Sequence, residues 1–460
     1  MTRRSLLGRT AGHAAEYLEG LVSGPVAPTA SLGELRAALG RGLPEVGMTA
    51  EDVIDELVRD VDGGLLGSAG GRFFGWVIGG GVPAALAADW LTATWDQNAA
   101  LYACGPAEAV IEEITGAWLK ELLGLPAEAS FAFTTGAQMA HVTALAAARH
   151  RLLADRGWDV ERRGLFQAPP PRVLCGGEQH ASIDRAVRML GLGTDSLTAV
   201  GTGADSRIDL EALERELQID APTVVCLQAG EINTGAFDPF VEACEMAHRY
   251  GAWVHVDGAF GLWARVSPRY STLLDGVELA DSWTTDGHKW LNVPFDSGFA
   301  FVRDAAAHRA AMTTSASYLI TGGAARDQID WTPEWSRRGR AVPVYAAIRE
   351  LGRDGIRAMI ERCCDHARDL VRGLGALPGV EVLVEPAINQ GLVRFLAADG
   401  DHDRRTDEVI ARIQAGGEAW FGGTTWKGVR AMRVSVVNWQ TSSSDVARAV
   451  AAVASLCSDG

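Results

Sequence analysis

Apolar positions fall into two regimes along the chain. From the N-terminus to about residue 70 they recur at helical spacing between turn signals. Leu21-Val-Ser-Gly-Pro-Val-Ala-Pro28 reads as a linker, Ser31-Leu-Gly-Glu34 as a capping box opening a helix, and Thr49-Ala-Glu-Asp52 as the start of the next. Helical spacing returns through Trp95 and from Ala107 to Leu123. Short, nearly continuous apolar runs then take over, at Phe131-Ala-Phe, Arg172-Val-Leu-Cys-Gly, Thr223-Val-Val-Cys-Leu, Trp253-Val-His-Val and Phe299-Ala-Phe-Val302. These read as buried strands. An alanine-rich helix to about Leu153 follows the first, and a helix after His180 follows the second. That alternation predicts an α/β fold. Beyond a helix that continues through Leu351, a smaller α/β domain is expected. Its strands lie near 380–384 and 391–396, its helices at 405–417 and 444–456, and Met432–Trp439 forms an alternating strand. The expected divisions are a helical segment over 1–70, a large domain over 71–345 and a small domain over 346–460.

Composition narrows the function classes. A chain of 460 residues exceeds one ordinary domain, and 47% hydrophobic content is ample for a sizeable core. A formal charge of −16 argues against nucleic acid or an anionic membrane as partner. The seven cysteines are scattered, odd in number and without metal-ligand spacing, which suits free thiols in a reducing cytoplasm and gives no metal site. Thr2-Arg3-Arg4-Ser-Leu-Leu7 resembles the start of a twin-arginine export signal. His13, Glu16 and Glu19 interrupt the apolar stretch such a signal needs, so an amphipathic helix is expected instead. Gly79-Gly-Gly81 and Asp89 break the longest candidate membrane span.

Candidate chemistry concentrates in Asp286-Gly-His288-Lys289-Trp290. A lysine partly buried among apolar neighbours can present a neutral, nucleophilic amine, which forms Schiff bases with carbonyls such as the aldehyde of pyridoxal phosphate (PLP). Most lysines are merely solvated, and a second segment changes that balance. Asp257 stands at the carboxyl end of the strand Trp253–Val256, where open α/β sheets bind ligands. It could cap the following turn, or pair with a pyridinium nitrogen and make the ring an electron sink. Thr134-Thr135-Gly136-Ala137-Gln138, between a strand and a helix, is a candidate anion site because free N–H groups and the helix dipole converge there. His180 precedes a helix just past a strand end, and is either structural or functional. Glu231 either turns outward, or shuttles a proton, or pairs with a cationic substrate. Phe73 and Trp76 belong to an aromatic, then glycine-rich segment that is either core or, without the Gly-x-Gly-x-x-Gly spacing, a phosphate loop; Arg433 suits an ion pair.

These motifs resemble those of the group II PLP-dependent decarboxylases, which act on aromatic amino acids, glutamate and diaminobutyrate. That family's Asp-Pro-His-Lys-Trp appears here as Asp286-Gly-His-Lys-Trp290, and its His-Val-Asp-Ala-Ala as His255-Val-Asp257-Gly-Ala259. The similarity runs from about Arg72 to about Arg448. It implies the PLP-dependent transferase fold type I, with a mostly parallel seven-stranded sheet, a smaller C-terminal domain and an N-terminal segment that packs on the partner of a homodimer. It further implies that Lys289 holds PLP as a Schiff base, Asp257 faces the ring nitrogen and His180 stacks on the ring. Thr135, Gly136, Ala137, Gln138 and His288 would hold the phosphate, with Ala259 and Asp286 nearby, and a quinonoid intermediate would follow loss of carbon dioxide. Arg433, Glu231, Phe73 and Trp76 are the candidate substrate contacts. The chain departs from the pattern at Gln138, Met139, Glu231 and Gly258. Thr313–Trp335 reads as a mobile loop; the family carries a proton-donating tyrosine there, and here only Tyr318 stands near the loop's start. The expected activity is decarboxylation of an L-amino acid. The alternatives are a decarboxylation-dependent aldehyde synthase, a non-decarboxylating PLP lyase or aldolase, and a PLP-binding protein without turnover.

Overall fold

The computed structural model describes residues 2–314 and 325–457. The chain divides into two compact units, one of residues 1–78, 365–385 and 391–460, the other of 79–364 and 386–390.

In the second unit seven strands form one sheet: β1 (Ser130–Thr134), β2 (Arg172–Gly176), β3 (Leu197–Val200), β4 (Thr223–Gln228), β5 (Trp253–Asp257), β6 (Ser282–Asp286) and β7 (Gly298–Val302). Their order is β1-β7-β6-β5-β4-β2-β3. Only β7 runs against its neighbours, and the pairings β2–β3, β2–β4, β4–β5 and β5–β6 are parallel. The mostly parallel, seven-stranded α/β architecture expected from the resemblance is therefore present. Strands β1, β4, β5, β6 and β7 are buried along their whole length, which accounts for apolar runs where an open sheet would alternate. The helix Ala137–Ala154 packs on this sheet through Ala144, Leu145, Ala147 and Ala148, in one core with Val173, Val187 and Val224.

Beneath β1 lies a buried ion cluster. Glu112, on the helix Pro106–Leu123, accepts from Arg337 Nη1 at 2.9 Å and from Arg326 Nη1 at 3.1 Å. Arg337 Nη2 also donates to Phe133 O at 2.8 Å, and Arg326 donates to Phe131 O. Arg337 thereby fastens β1 to the helix Pro106–Leu123. Removing one partner of a buried pair strands the other charge, at a cost of roughly 3–5 kcal/mol. Glu112→Ala is expected to lose that much stability, read as a lowered midpoint in chemical denaturation.

The first unit contains the helices Arg3–Gly20, Leu32–Leu39 and Ala50–Val61. The expected caps are in place: Ser31 closes a capping box with Glu34, and Thr49 accepts from Asp52 N–H. A four-stranded sheet ordered β10-β11-β9-β8 comprises β8 (Val380–Val384), β9 (Gln390–Phe395), β10 (Gly422–Trp426) and β11 (Val429–Ser435). The helices His402–Gly416 and Ser443–Cys457 complete the C-terminal α/β portion. Among the described residues no helix is long and apolar enough to cross a membrane.

Candidate active site

Strands β1, β2, β4, β5 and β6 run the same way, so Thr134, Gly176, Gln228, Asp257 and Asp286 share one edge of the sheet. The residues read as functional collect along that edge, where parallel α/β sheets bind their ligands.

Lys289 lies three residues past the end of β6, and its Nζ sits 3.0 Å from Asp286 Oδ2. The other oxygen of Asp286 accepts from Ala137 N–H at 2.6 Å, so one carboxylate ties the lysine to the turn that opens the helix Ala137–Ala154. His288 Nε2 is 3.6 Å from that same oxygen, its Nδ1 accepts from Ser297 N–H at 3.2 Å, and its ring stacks on Phe295. Burial lowers the His288 imidazole below its ordinary range, which keeps it neutral at pH 7. Gly298 closes the floor. A Cβ there would stand 2.3 Å from Gly136 Cα, so the backbones of β7 and the 135–138 turn touch.

Asp257 is buried at the end of β5, and its Oδ1 accepts from Ala259 N–H at 3.1 Å. Burial by itself would raise its carboxyl. Attraction from His141, and after it from Lys289 and His180, outweighs burial and holds it well below the usual carboxylate range. Asp257 is therefore an anion, and Lys289 and His180 lie close enough to act on it electrostatically. His180 caps the helix Ala181–Met189: its Nδ1 accepts from Ser182 N–H at 3.2 Å and lies 2.8 Å from Ser182 Oγ. A cap through Nδ1 leaves Nε2 as the proton-bearing atom of the neutral ring. Gln138 Nε2 donates to Ser182 O at 3.2 Å, joining the two helix starts. His141, which the sequence reading passed over as part of an alanine-rich helix, stands 3.5 Å behind Asp257.

Glu231 is fully buried, and both its oxygens are committed to its own turn. Oε2 accepts from Asn233 N–H, Thr234 N–H and Thr234 Oγ at 2.7–2.9 Å, and Oε1 accepts from Asn233 Nδ2 at 2.8 Å. This is a carboxylate that builds a turn, not one turned outward. Three further candidates belong to the first unit. Phe73 is buried and stacks on Trp420 at 5.0 Å, Trp76 is half exposed and lies 4.7 Å from the same ring, and Arg433 sits on β11. Tyr318 lies outside the described residues. The end of the segment read as a loop is anchored: Ile329 N–H donates to Ala100 O, and His308 Nε2 meets Trp331 O at 2.9 Å.

The donor set fits PLP. A primary amine stands at the strand edge, an ionised carboxylate at the end of β5 matches a protonated ring nitrogen, and a helix N-terminus lined by Gly136 suits a phosphate. Residues 33–397 match the family model of the pyridoxal-dependent decarboxylase conserved domain. The chain is 27% identical over 446 residues to an aromatic-L-amino-acid decarboxylase of Bacillus atrophaeus, covering 94% of this chain and 90% of the relative. It is 28% identical over 373 residues to an L-2,4-diaminobutyrate decarboxylase of Acinetobacter baumannii, covering 75% and 70%. The fold superposes on the crystal structure of Oryza sativa TDC with PLP and tryptamine at a TM-score of 0.93 and 24% identity, covering 99% of this chain and 97% of that one. The chain thus belongs to the pyridoxal-dependent decarboxylase family, a PLP-dependent carboxy-lyase whose reaction is the decarboxylation of an amino acid.

Proposed function

We propose that the enzyme converts an L-amino acid to its amine, with Lys289 as the residue that holds the cofactor covalently. The observation that carries this is the grouping of Lys289, Asp286, Asp257 and His180 along one sheet edge, with Asp257 held as an anion. Bound there, PLP supplies the sink for the electrons left when carbon dioxide departs. The chain's own residues do the rest. Asp257 keeps a proton on the ring nitrogen. His180, capped through Nδ1 with the proton on Nε2, would offer the cofactor a flat ring surface and a donor. Asp286 holds Lys289 Nζ and so fixes where that amine can accept or release a proton. The turn Thr135–Gln138, with neutral His288, receives the phosphate, and Ala259 N–H steadies Asp257. Glu231 is given no proton-transfer role, because both its oxygens are engaged within its own turn.

The enzyme is further read as a cytoplasmic homodimer. All seven cysteines are free, five of them buried, which suits a reducing compartment. Leu7, Leu43, Val46 and Leu57 of the N-terminal helical segment are exposed, an apolar surface that a second copy would cover. Light scattering of the holoenzyme tests the stoichiometry.

The reaction itself is tested by following carbon dioxide release and oxygen uptake together over a panel of L-amino acids, with and without air. Carbon dioxide without oxygen uptake is the expected result. Carbon dioxide coupled to oxygen would replace amine formation by aldehyde synthesis, and a substrate consumed with neither gas changing would point to a lyase.

A further inference from the structure

Behind Asp257 runs a buried line of polar groups that no role above includes. Trp253 Nε1 lies 2.9 Å from Ser282 Oγ, Ser282 Oγ 2.9 Å from His255 Nδ1, and His255 Nε2 2.9 Å from His141 Nδ1. His141 Nε2 faces Asp257 Oδ2 at 3.5 Å and makes no hydrogen bond to any other group. Both imidazoles and Ser282 are fully buried. Thr284 Oγ1 stands 3.2 Å from His141 Nδ1, a hydroxyl that can donate to that same nitrogen.

The two ends set the direction of this line. The Trp253 indole can only donate, and an ionised Asp257 can only accept. Ser282 Oγ accepts from Trp253 Nε1–H and donates its own O–H to His255 Nδ1. His255 Nε2–H then donates to His141 Nδ1, which places the His141 proton on Nε2, facing Asp257. The reverse arrangement would aim a lone pair at a carboxylate. Burial pushes His255 down to about 3, so it is neutral at pH 7 and links the line without adding charge.

We propose that His141 is a positioning residue: it ends a one-way hydrogen-bond chain from Trp253 that presents an N–H to Asp257 and keeps Asp257 anionic where the cofactor's ring nitrogen meets it. This rests on the assignment of Asp257 to that nitrogen. The titratable groups facing Asp257 are His141 from the helix Ala137–Ala154, His255 on its own strand, Cys226 on β4, His180 before the helix Ala181–Met189 and Lys289 after β6. The Cys226 thiol is pushed well up by burial and stays neutral. His180 and Lys289 are separate from the chain and keep acting in its absence, so the loss of His141 should weaken the anion and not abolish it.

The test uses holoenzyme loaded with PLP carrying nitrogen-15 in the ring, whose chemical shift reports protonation of that nitrogen as pH is raised. In His141→Phe the ring nitrogen is expected to lose its proton about one pH unit earlier than in the wild type, a tenfold fall in proton affinity. His141→Gln, which restores an N–H near the Nε2 position, should recover most of the shift. Ser282→Ala breaks the chain at its far end while leaving His141 in place. It should move the midpoint the same way by a smaller amount, and it keeps the test open should the phenylalanine variant fail to fold. Midpoints equal to wild type in both His141→Phe and Ser282→Ala, with Asp257→Asn shifted, would overturn the chain and leave the Asp257 assignment standing. An unshifted Asp257→Asn would overturn both.

Discussion

Lys289→Ala is expected to lower carbon dioxide release by a factor on the order of 10³ or more, because it removes the nucleophile that holds the cofactor in covalent form. The fold should survive. Lys289 is partly exposed, and its partner Asp286 keeps the Ala137 N–H bond. The composition makes the attachment site unusually easy to assign, since the chain has only three lysines, Lys120, Lys289 and Lys427. Lys120 Nζ is engaged by the carbonyls of Ala127 and Ala129, and Lys427 lies over the Trp426 ring at the β10–β11 turn. Borohydride reduction followed by peptide mapping should therefore place a phosphopyridoxyl group on Lys289 in the wild type and on no lysine in the variant. A modified Lys120 or Lys427 in the wild type would sink the assignment.

The sheet edge was legible because its chemistry sits at strand ends. An apolar run ending in Asp257 and a His-Lys pair beyond a polar turn are local signals, and neither needs tertiary knowledge. What the pattern missed has a common cause. Strand β6, Ser-Trp-Thr-Thr-Asp, is fully buried yet mostly polar, so hydrophobic periodicity does not announce it. Its hydroxyls are used inside the sheet, Ser282 against Trp253 and His255, Thr284 against His141. Strand β10 opens with two glycines, and β3 is a short edge strand, so both fall below what composition alone can mark. His141 could have been found from one signal: a histidine between Ala140 and Val142, on the apolar stretch of an alanine-rich helix, needs a buried partner.

The departures from the family's motifs also take on physical meaning. Gly287, where the family carries proline, donates its N–H to Ser297 O at 3.0 Å, a bond proline cannot make. A Cβ at Gly258 would meet Leu262 Cβ at 2.7 Å, so the glycine follows from the packing of Leu262. Gln138 replaces a hydroxyl contact with an amide bridge to Ser182 O, and Glu231 closes its own turn. Each of these four changes has a local structural use, and none by itself supplies a new acid or base. That weighs toward simple decarboxylation over a lyase built around Glu231.

The sharpest test of the chemistry is Asp257→Asn. The substitution keeps the shape and an oxygen to accept from Ala259 N–H, and it replaces the charged oxygen facing His141 with a neutral amide NH2. Losing one preorganised charge at a reacting centre should lower kcat about a thousandfold, with KM changing far less. Stability gives an independent reading. Although burial opposes it, the carboxyl is held below its ordinary value in the folded protein by His141, Lys289 and His180, so ionised Asp257 contributes stability that is present above about pH 4 and is lost as the pH falls further. The asparagine variant lacks that contribution. Its melting temperature, measured without cofactor, should lie below that of the wild type at pH 7, and the gap should narrow as the pH drops under about 4. A variant with near-normal kcat would transfer the anionic role to another group. A kcat loss with no pH-dependent stability gap would instead show that His141, Lys289 and His180 do not hold Asp257 ionised before the cofactor binds.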